Sequence, residues 1–444
     1  MIAAALVLLL GGVVVVRSVV GGGVGNERAD GPRLPAAIDE RWSVDLADVV
    51  VVDAVVTASS VVVVTDRRGP GGVDVVAYDT ADGSERWTRP LDSVSTDLTV
   101  VDDDIVVVSA TREFAEGRFS FGVDPTTGDE RWERTGDGVV LASAQMLPLG
   151  LVDSGRFPAT EPSLEIADLR TGETVPPLGG RLAGLRADGG VIVLDDDGAV
   201  RVVDLGAFDP ASPDAELPSE TVATTSRDRR NVVGLAGRWF ASTDDGLVEV
   251  GFAADEGRVL IDARSEDERG VPIPTIESSS FFAPVDDRRA VMLGTDGAFG
   301  VELAGDELRV TWSAQAVVGL PHAVDGDRVV VEAVGGGEGR DGFGPVELRD
   351  AATGEVLAEY DGLPGARFDR PVDGVVAWDD TGTASDPERF DGTVVALDLD
   401  GGERWRVDDV AGLPAIGDSI VALPVTDGTT RQLVLLDEGP RTRE

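Results

Sequence analysis

The sequence predicts an all-β chain of repeated four-strand units behind one apolar N-terminal helix. Three observations predict it. Val-rich runs at 49–52, 61–64 and 105–108 alternate with Asp/Gly turns, the length and punctuation of short strands. No stretch after residue 40 shows a helical period. One hairpin motif recurs at intervals of 44 to 48 residues, room for about four short strands each. Composition agrees. Of 444 residues, 56 are Gly and 24 Pro, and 42% are apolar, too many for a disordered chain. Val dominates that share, and its branched side chain favours strands.

Residues 2–16 are an unbroken apolar or glycine run, interrupted by Arg17 and continued to Gly25. About 23 such residues suffice to cross a bilayer if Arg17 snorkels to an interface. Residues 1–25 are therefore expected to be a transmembrane signal anchor, with the rest outside the cytoplasm. A cleaved signal peptide is the second reading, although a basic leader and an A-x-A site are missing. A buried core helix is the third, with no second helix to pack against. Arg28 and Arg33 lie on the wrong side of the span to support that orientation. Residues 26–40 are a Gly/Pro/Arg linker, and 41–444 form the repeat domain.

Five units of the repeat align closely. The first two read Val76-Ala77-Tyr78-Asp79-Thr80-Ala81-Asp82-Gly83-Ser84-Glu85-Arg86-Trp87 and Phe121-Gly122-Val123-Asp124-Pro125-Thr126-Thr127-Gly128-Asp129-Glu130-Arg131-Trp132. The third carries Asp168 and Gly172, the fourth Asp350 and Gly354, and the fifth Asp398, Gly402 and Trp405. Each position has a physical reason. The Asp ends a strand and accepts backbone N–H bonds two residues on, closing an Asx-turn. The Gly four residues later supplies a positive φ. The Trp of the next strand is a flat ring able to fill the gap between neighbouring sheets. A hairpin of this kind cannot bury its own faces, so it needs a copy on each side.

These units resemble the PQQ-like, quinoprotein-type β-propeller repeat, over nearly everything from residue 41 on and weakly between about 180 and 310. The resemblance implies a propeller. Eight blades, the family's usual number, are expected, against nine third-strand segments in the sequence. It also implies a ring closed by its two ends. Glu40-Arg41-Trp42-Ser43-Val44-Asp45 reads as an outer strand without its hairpin, and the last copy, Leu433 to Asp437, lacks one.

The family includes quinone-dependent dehydrogenases that use a Cys pair and a calcium held by carboxylate and amide groups. This chain has no Cys, and Asn231 is its only Asn past the linker. The family also holds the propeller lipoprotein of the outer-membrane β-barrel assembly machinery. No lipobox Cys is present here, so that role does not transfer directly.

Charge removes further classes. There are 82 acidic and 38 basic residues, giving net −44, with every basic residue an Arg and His322 the single His. Thiolate sites, a lysine Schiff base and a His-rich zinc site are impossible. The negative field repels phosphate backbones, so no nucleic-acid partner is expected. Two readings of the acidity stay open: drift in a GC-rich genome, and adaptation to high salt.

The acidic runs at 102–104, 195–197, 244–245 and 379–380 are read as hairpin turns rather than calcium loops, since none fits the EF-hand spacing. His322, which begins a unit, reads as structural, and Trp239 and Trp378 as core. The irregular stretches 335–342 and 380–390 are candidate contact loops. No catalytic, cofactor-binding or metal residues are assigned. The expected role is a membrane-anchored, extracytoplasmic β-propeller that binds a protein or acts as an envelope scaffold, without enzymatic activity. A PQQ-dependent oxidoreductase and a small-ligand sensor are the alternatives.

Overall fold

A computed structural model describes residues 33–438, apart from stretches within that span, chiefly 142–148, 154–163, 205–216, 251–258, 263–280, 333–345 and 380–391. The expected anchor (1–25), most of the linker and both candidate contact loops lie outside the described residues. Among those described, no helix is long and apolar enough to cross a membrane.

Every regular element among the described residues is a strand, and 36 of them form seven four-stranded sheets and one of eight strands. Each four-stranded sheet is an antiparallel meander in chain order. These are modules 1 (49–91), 2 (95–136), 3 (139–175), 4 (181–224), 5 (232–262), 6 (281–315) and 7 (322–360). The large sheet joins two further meanders through a single residue pair, Val410 with Val425. One is module 8 (367–410). The other, module 9, takes three strands from 415–438 and its fourth, Ile38–Ala47, from the start of the chain.

The unbroken Val runs follow from sheets stacked face to face. In Ser60–Arg67, Val61, Val62, Val63 and Val64 are all 0% exposed. Successive side chains point to opposite faces. Val61 and Val63 join a cluster with Trp42, Ala422 and Leu435 of module 9, whereas Val62 and Val64 join Leu98, Val106 and Phe121 of module 2. A strand buried on both faces has no polar side to alternate with. Similar clusters fill the spaces between modules 4 and 5, 5 and 6, 6 and 7, and 8 and 9. The core therefore lies between modules, not within them.

The ends meet as the isolated outer strand predicts. Ile38–Ala47 pairs antiparallel with Arg431–Glu438, placing Ile38 opposite Glu438 and Ala47 opposite Arg431. The first strand of module 1, Val49–Val56, touches the first strands of both module 2 and module 9. Module 1 thus has a neighbour on each face.

A chain at net −44 repels itself, and salt screens that repulsion. Thermal melting in rising NaCl is expected to move up by several degrees between roughly 0.1 M and 2 M. An unchanged midpoint would remove the high-salt reading of the composition.

Candidate functional site

The repeated polar residues converge on one corner, at the turn between the third and fourth strands of a module. In module 1 the Asp79 N–H donates to the Ser84 carbonyl at 2.9 Å, and the Gly83 N–H to the Asp79 carbonyl at 2.9 Å. Asp79 Oδ1 accepts the Ala81 N–H at 2.7 Å, the Asx-turn expected of this position. In module 2, Asp124 Oδ1 takes the N–H groups of Thr126 and Thr127 at 2.9 and 3.1 Å. In module 7, Asp350 Oδ1 takes those of Ala352 and Thr353 at 3.0 and 2.7 Å. Gly83, Gly128, Gly172 and Gly354 all have φ between +66° and +77°. Gly402 does not share that conformation. The Asp398 N–H reaches the Gly402 carbonyl at 2.7 Å, one residue sooner than in the other turns, so this corner is a residue tighter.

Two roles escaped the sequence. The first belongs to the Arg before each Trp. The ladder skips Arg86 between the pairs Ala77–Trp87 and Tyr78–Glu85, a β-bulge that leaves it unpaired in the strand. Its guanidinium then reaches Asp79 Oδ2 at 2.7 Å. Arg131 does the same to Asp124 at 2.7 Å, and Arg404 pairs with Asp398. At the closure, Arg41 reaches Asp437 at 3.4 Å across the two chain ends. The signal was the triplet Glu-Arg-Trp, spelled at 40–42, 85–87, 130–132 and 403–405.

The second concerns the destination of the indole. Each Trp Nε1 donates to a backbone carbonyl of the next module's corner: Trp42 to Thr80 at 3.0 Å, Trp87 to Pro125 at 3.0 Å and Trp132 to Leu169 at 2.8 Å. The acceptor is always the residue after the Asp. The ring lies on that module's glycine. A Cβ added at Gly83, Gly128 or Gly172 would come within 2.8 Å of the Trp42, Trp87 or Trp132 ring. Trp312 makes the same link, to the Ala351 carbonyl at 2.9 Å, although its own module carries Glu302 where the others carry Asp. Trp239 is buried at 8% exposure and lies on Gly234 of its own sheet, a core residue as expected. Trp378 lies in the strand Gly374–Asp379 and His322 in His322–Asp325.

Module 9 cannot make this corner, because its third and fourth strands come from opposite ends of the chain. Leu34 and Pro35 stand in for the missing turn. Trp405 Nε1 donates to the Pro35 carbonyl at 3.0 Å, and Arg404 Nη1 to the Leu34 carbonyl at 3.2 Å. Leu34 is buried in the cluster between modules 8 and 9.

Electrostatics follow the geometry. Burial alone would push the Asp124 carboxyl up. Hydrogen bonds from Arg131, Thr126 and Thr127, with the Arg131 charge, outweigh it and hold the group below its ordinary value. Asp350 is also held low: burial opposes, and the Thr353 N–H and hydroxyl, the Ala352 N–H and the Arg289 charge prevail. A depressed carboxylate stabilises the fold above its unfolded value, about 3.9, and loses that contribution as the pH drops through the folded value. Asp124→Asn is therefore expected to lower the urea midpoint at pH 7, with the gap to wild type narrowing as pH falls below about 4. A gap constant with pH would show the charge to be irrelevant.

The acidic run at 195–197 is a turn. The Asp195 N–H donates to Ala199 at 2.8 Å, Gly198 has φ +89°, and Arg201 binds Asp195 at 2.6 and 2.7 Å. Among the described residues no three His, Cys, Asp or Glu side chains are placed to hold a metal ion. With no Cys pair and almost no Asn, the residues present do not fit the quinone–calcium site that the wider family carries. One cleft of about 270 Å³ opens at the seam between modules 9 and 1, walled by Asp45 on one side and Asp74, Tyr78 and Glu85 on the other.

Residues 36–200 match the profile of a PQQ-type family described as outer membrane protein assembly factor BamB. This stretch is PQQ-like repeat. Its corner, with the Asp, the positive-φ Gly and the indole docked from the preceding module, recurs beyond it at Asp350, Gly354 and Trp312. No curated protein matches the sequence. Among solved structures, BamB from Moraxella catarrhalis aligns at 16% identity over 92% of this chain and 99% of its own, with a TM-score of 0.43. The computationally designed Ika8 protein aligns at 14% over 89% and 99%, TM-score 0.45. The Dos1 propeller aligns at 10% over 94% and 98%, TM-score 0.38.

Proposed function

We propose that this chain is a nine-bladed β-propeller scaffold that binds another protein on the extracytoplasmic side of a membrane, anchored there by residues 1–25. The blade number follows from treating each four-strand meander as a blade. Eight hydrogen-bonded sheets then become nine blades, because the largest sheet holds two. One observation carries the non-enzymatic reading. The repeated polar residues are occupied in holding the ring: Asp by its own turn and its Arg, Trp by the following module. The match of residues 36–200 to an assembly-factor family supports a role in binding proteins.

Four experiments test this. Protease added to intact spheroplasts should digest the propeller while leaving cytoplasmic markers whole, and the chain should sediment with membranes. Protection from protease would overturn the placement. Crosslinking in native membranes should yield a stoichiometric protein adduct. Turnover of alcohols or sugars by purified protein given PQQ, Ca²⁺ and an artificial electron acceptor would replace the scaffold by an oxidoreductase.

A further inference from the structure

Three large hydrophobic side chains are exposed among the described residues: Val52, Val356 and Leu357. The last two are adjacent in Val356–Tyr360, the outer strand of module 7, at 38% and 39% exposure. That strand pairs with Val346–Asp350, and its other edge has no strand beside it among the described residues. Modules 1, 2, 8 and 9 spell Glu-Arg at the same place, at 85–86, 130–131, 403–404 and 40–41. Charges on an outer strand discourage a passing strand from pairing with it. Module 1 adds Pro90 to the same strand, which has no N–H to donate. Module 7 has neither guard. Its ladder skips Leu357 at the bulge where module 1 skips Arg86, but an aliphatic chain cannot reach back to Asp350 as Arg86 does to Asp79. Beyond the bulge, Ala358, Glu359 and Tyr360 continue a regular ladder opposite Leu348, Glu347 and Val346.

We propose that the outer edge of module 7 takes up an extended segment of another protein as a fifth strand, one in which aliphatic residues lie between two basic ones. Main-chain hydrogen bonds to Ala358–Tyr360 would hold such a strand, and Val356 and Leu357 would cover its aliphatic side chains. Charge selects the flanks. Glu355 and Glu359 are exposed on either side of the apolar pair, and opposite charges across a strand pair attract. The same charges exclude a second copy of this chain. Antiparallel pairing centred on Leu357 would set Glu355 against Glu359 of that copy, between two bodies of net −44. This deepens the protein-binding reading and rests on it, because it names the chemistry of the partner and the edge that receives it.

Calorimetry on the purified chain in about 0.15 M NaCl tests it. The probe is a blocked Thr-Lys-Val-Ile-Val-Lys-Thr peptide, and one-to-one saturable binding is expected. The variant Val356→Glu/Leu357→Arg restores the guard of the other modules and leaves the net charge unchanged. It should weaken binding at least about tenfold, as the apolar contact is lost. Both positions are exposed, so its melting midpoint should move by no more than about two degrees. Replacing the central Ile of the peptide by Pro removes a backbone donor and should weaken binding at least about tenfold. A peptide with Glu in place of both Lys should not saturate. Absence of saturation by the first peptide overturns the proposal. So does equal binding to the guarded variant, which would reveal diffuse attraction to the net charge, or equal binding of the Pro or Glu peptide. A dimer of the chain on gel filtration that the guarded variant abolishes would make a second copy the occupant and also overturn it. The readout needs neither membrane nor native partner, so peptide binding and crosslinking succeed or fail separately.

Discussion

Trp312→Ala is expected to destabilise the chain by about 3–5 kcal/mol, the usual cost of deleting a large buried aromatic. Its ring is 0% exposed and packs among Val291, Ala298, Val329 and Ala351, bridging modules 6 and 7. The loss has two parts, an unfilled cavity and a buried Ala351 carbonyl left without its 2.9 Å donor. Trp312→Phe separates them. It keeps most of the volume and should lose about 1–2 kcal/mol, chiefly the unmet carbonyl. Urea midpoints with unchanged slopes would check both. A loss below about 1 kcal/mol for the alanine variant would mean that the indole does not fasten one module to the next.

Removal of residues 1–47 should cost more than any point substitution. The cut deletes the fourth strand of module 9 and its eight-pair register with Arg431–Glu438. It also takes Trp42 and Leu46 out of the cluster that joins modules 9 and 1, and Leu34 and Pro35 from Trp405. A bare edge carrying Leu433 and Leu435 is then exposed, and such edges pair with other chains. The expected result is loss of the cooperative melt, with dimers or larger species on gel filtration. A cut before residue 33 leaves every one of these contacts in place and should shift the midpoint by only a degree or two. A synthetic peptide of residues 33–47 added to the shorter chain should restore the monomer. A cooperative monomeric melt without peptide or strand would show that the ring does not depend on this closure.

Much of this architecture is readable in the residues because it is written in local chemistry. A strand buried on both faces demands unbroken Val, and a turn with one left-handed residue demands Gly83 or Gly354. The lone Glu40-Arg41-Trp42 and the strandless Asp437 advertise each other, since neither completes a hairpin alone. What stayed hidden depends on partners with no sequence signature. The carbonyl that receives Trp87 belongs to Pro125, 38 positions away, and any residue offers a carbonyl. The Arg86–Asp79 contact requires a bulge that alternation does not foretell. Trp312 went unnoticed because Glu302 replaces the marker Asp. The tight corner at Asp398 misplaced the special backbone position by assigning it to Gly402. The seam cleft draws its walls from Asp45 and Asp74, adjacent only once the circle is joined.

The pairing of Ile38 with Glu438 also sets a clock. The strand that seals the ring is among the first made, and its mate is 400 residues downstream. At about 5–20 residues per second, some 20–80 s of translation separate them. Throughout that interval Trp42 and Leu46 have no place to hide. The order of synthesis therefore makes this closing pair the last contact of the ring to form.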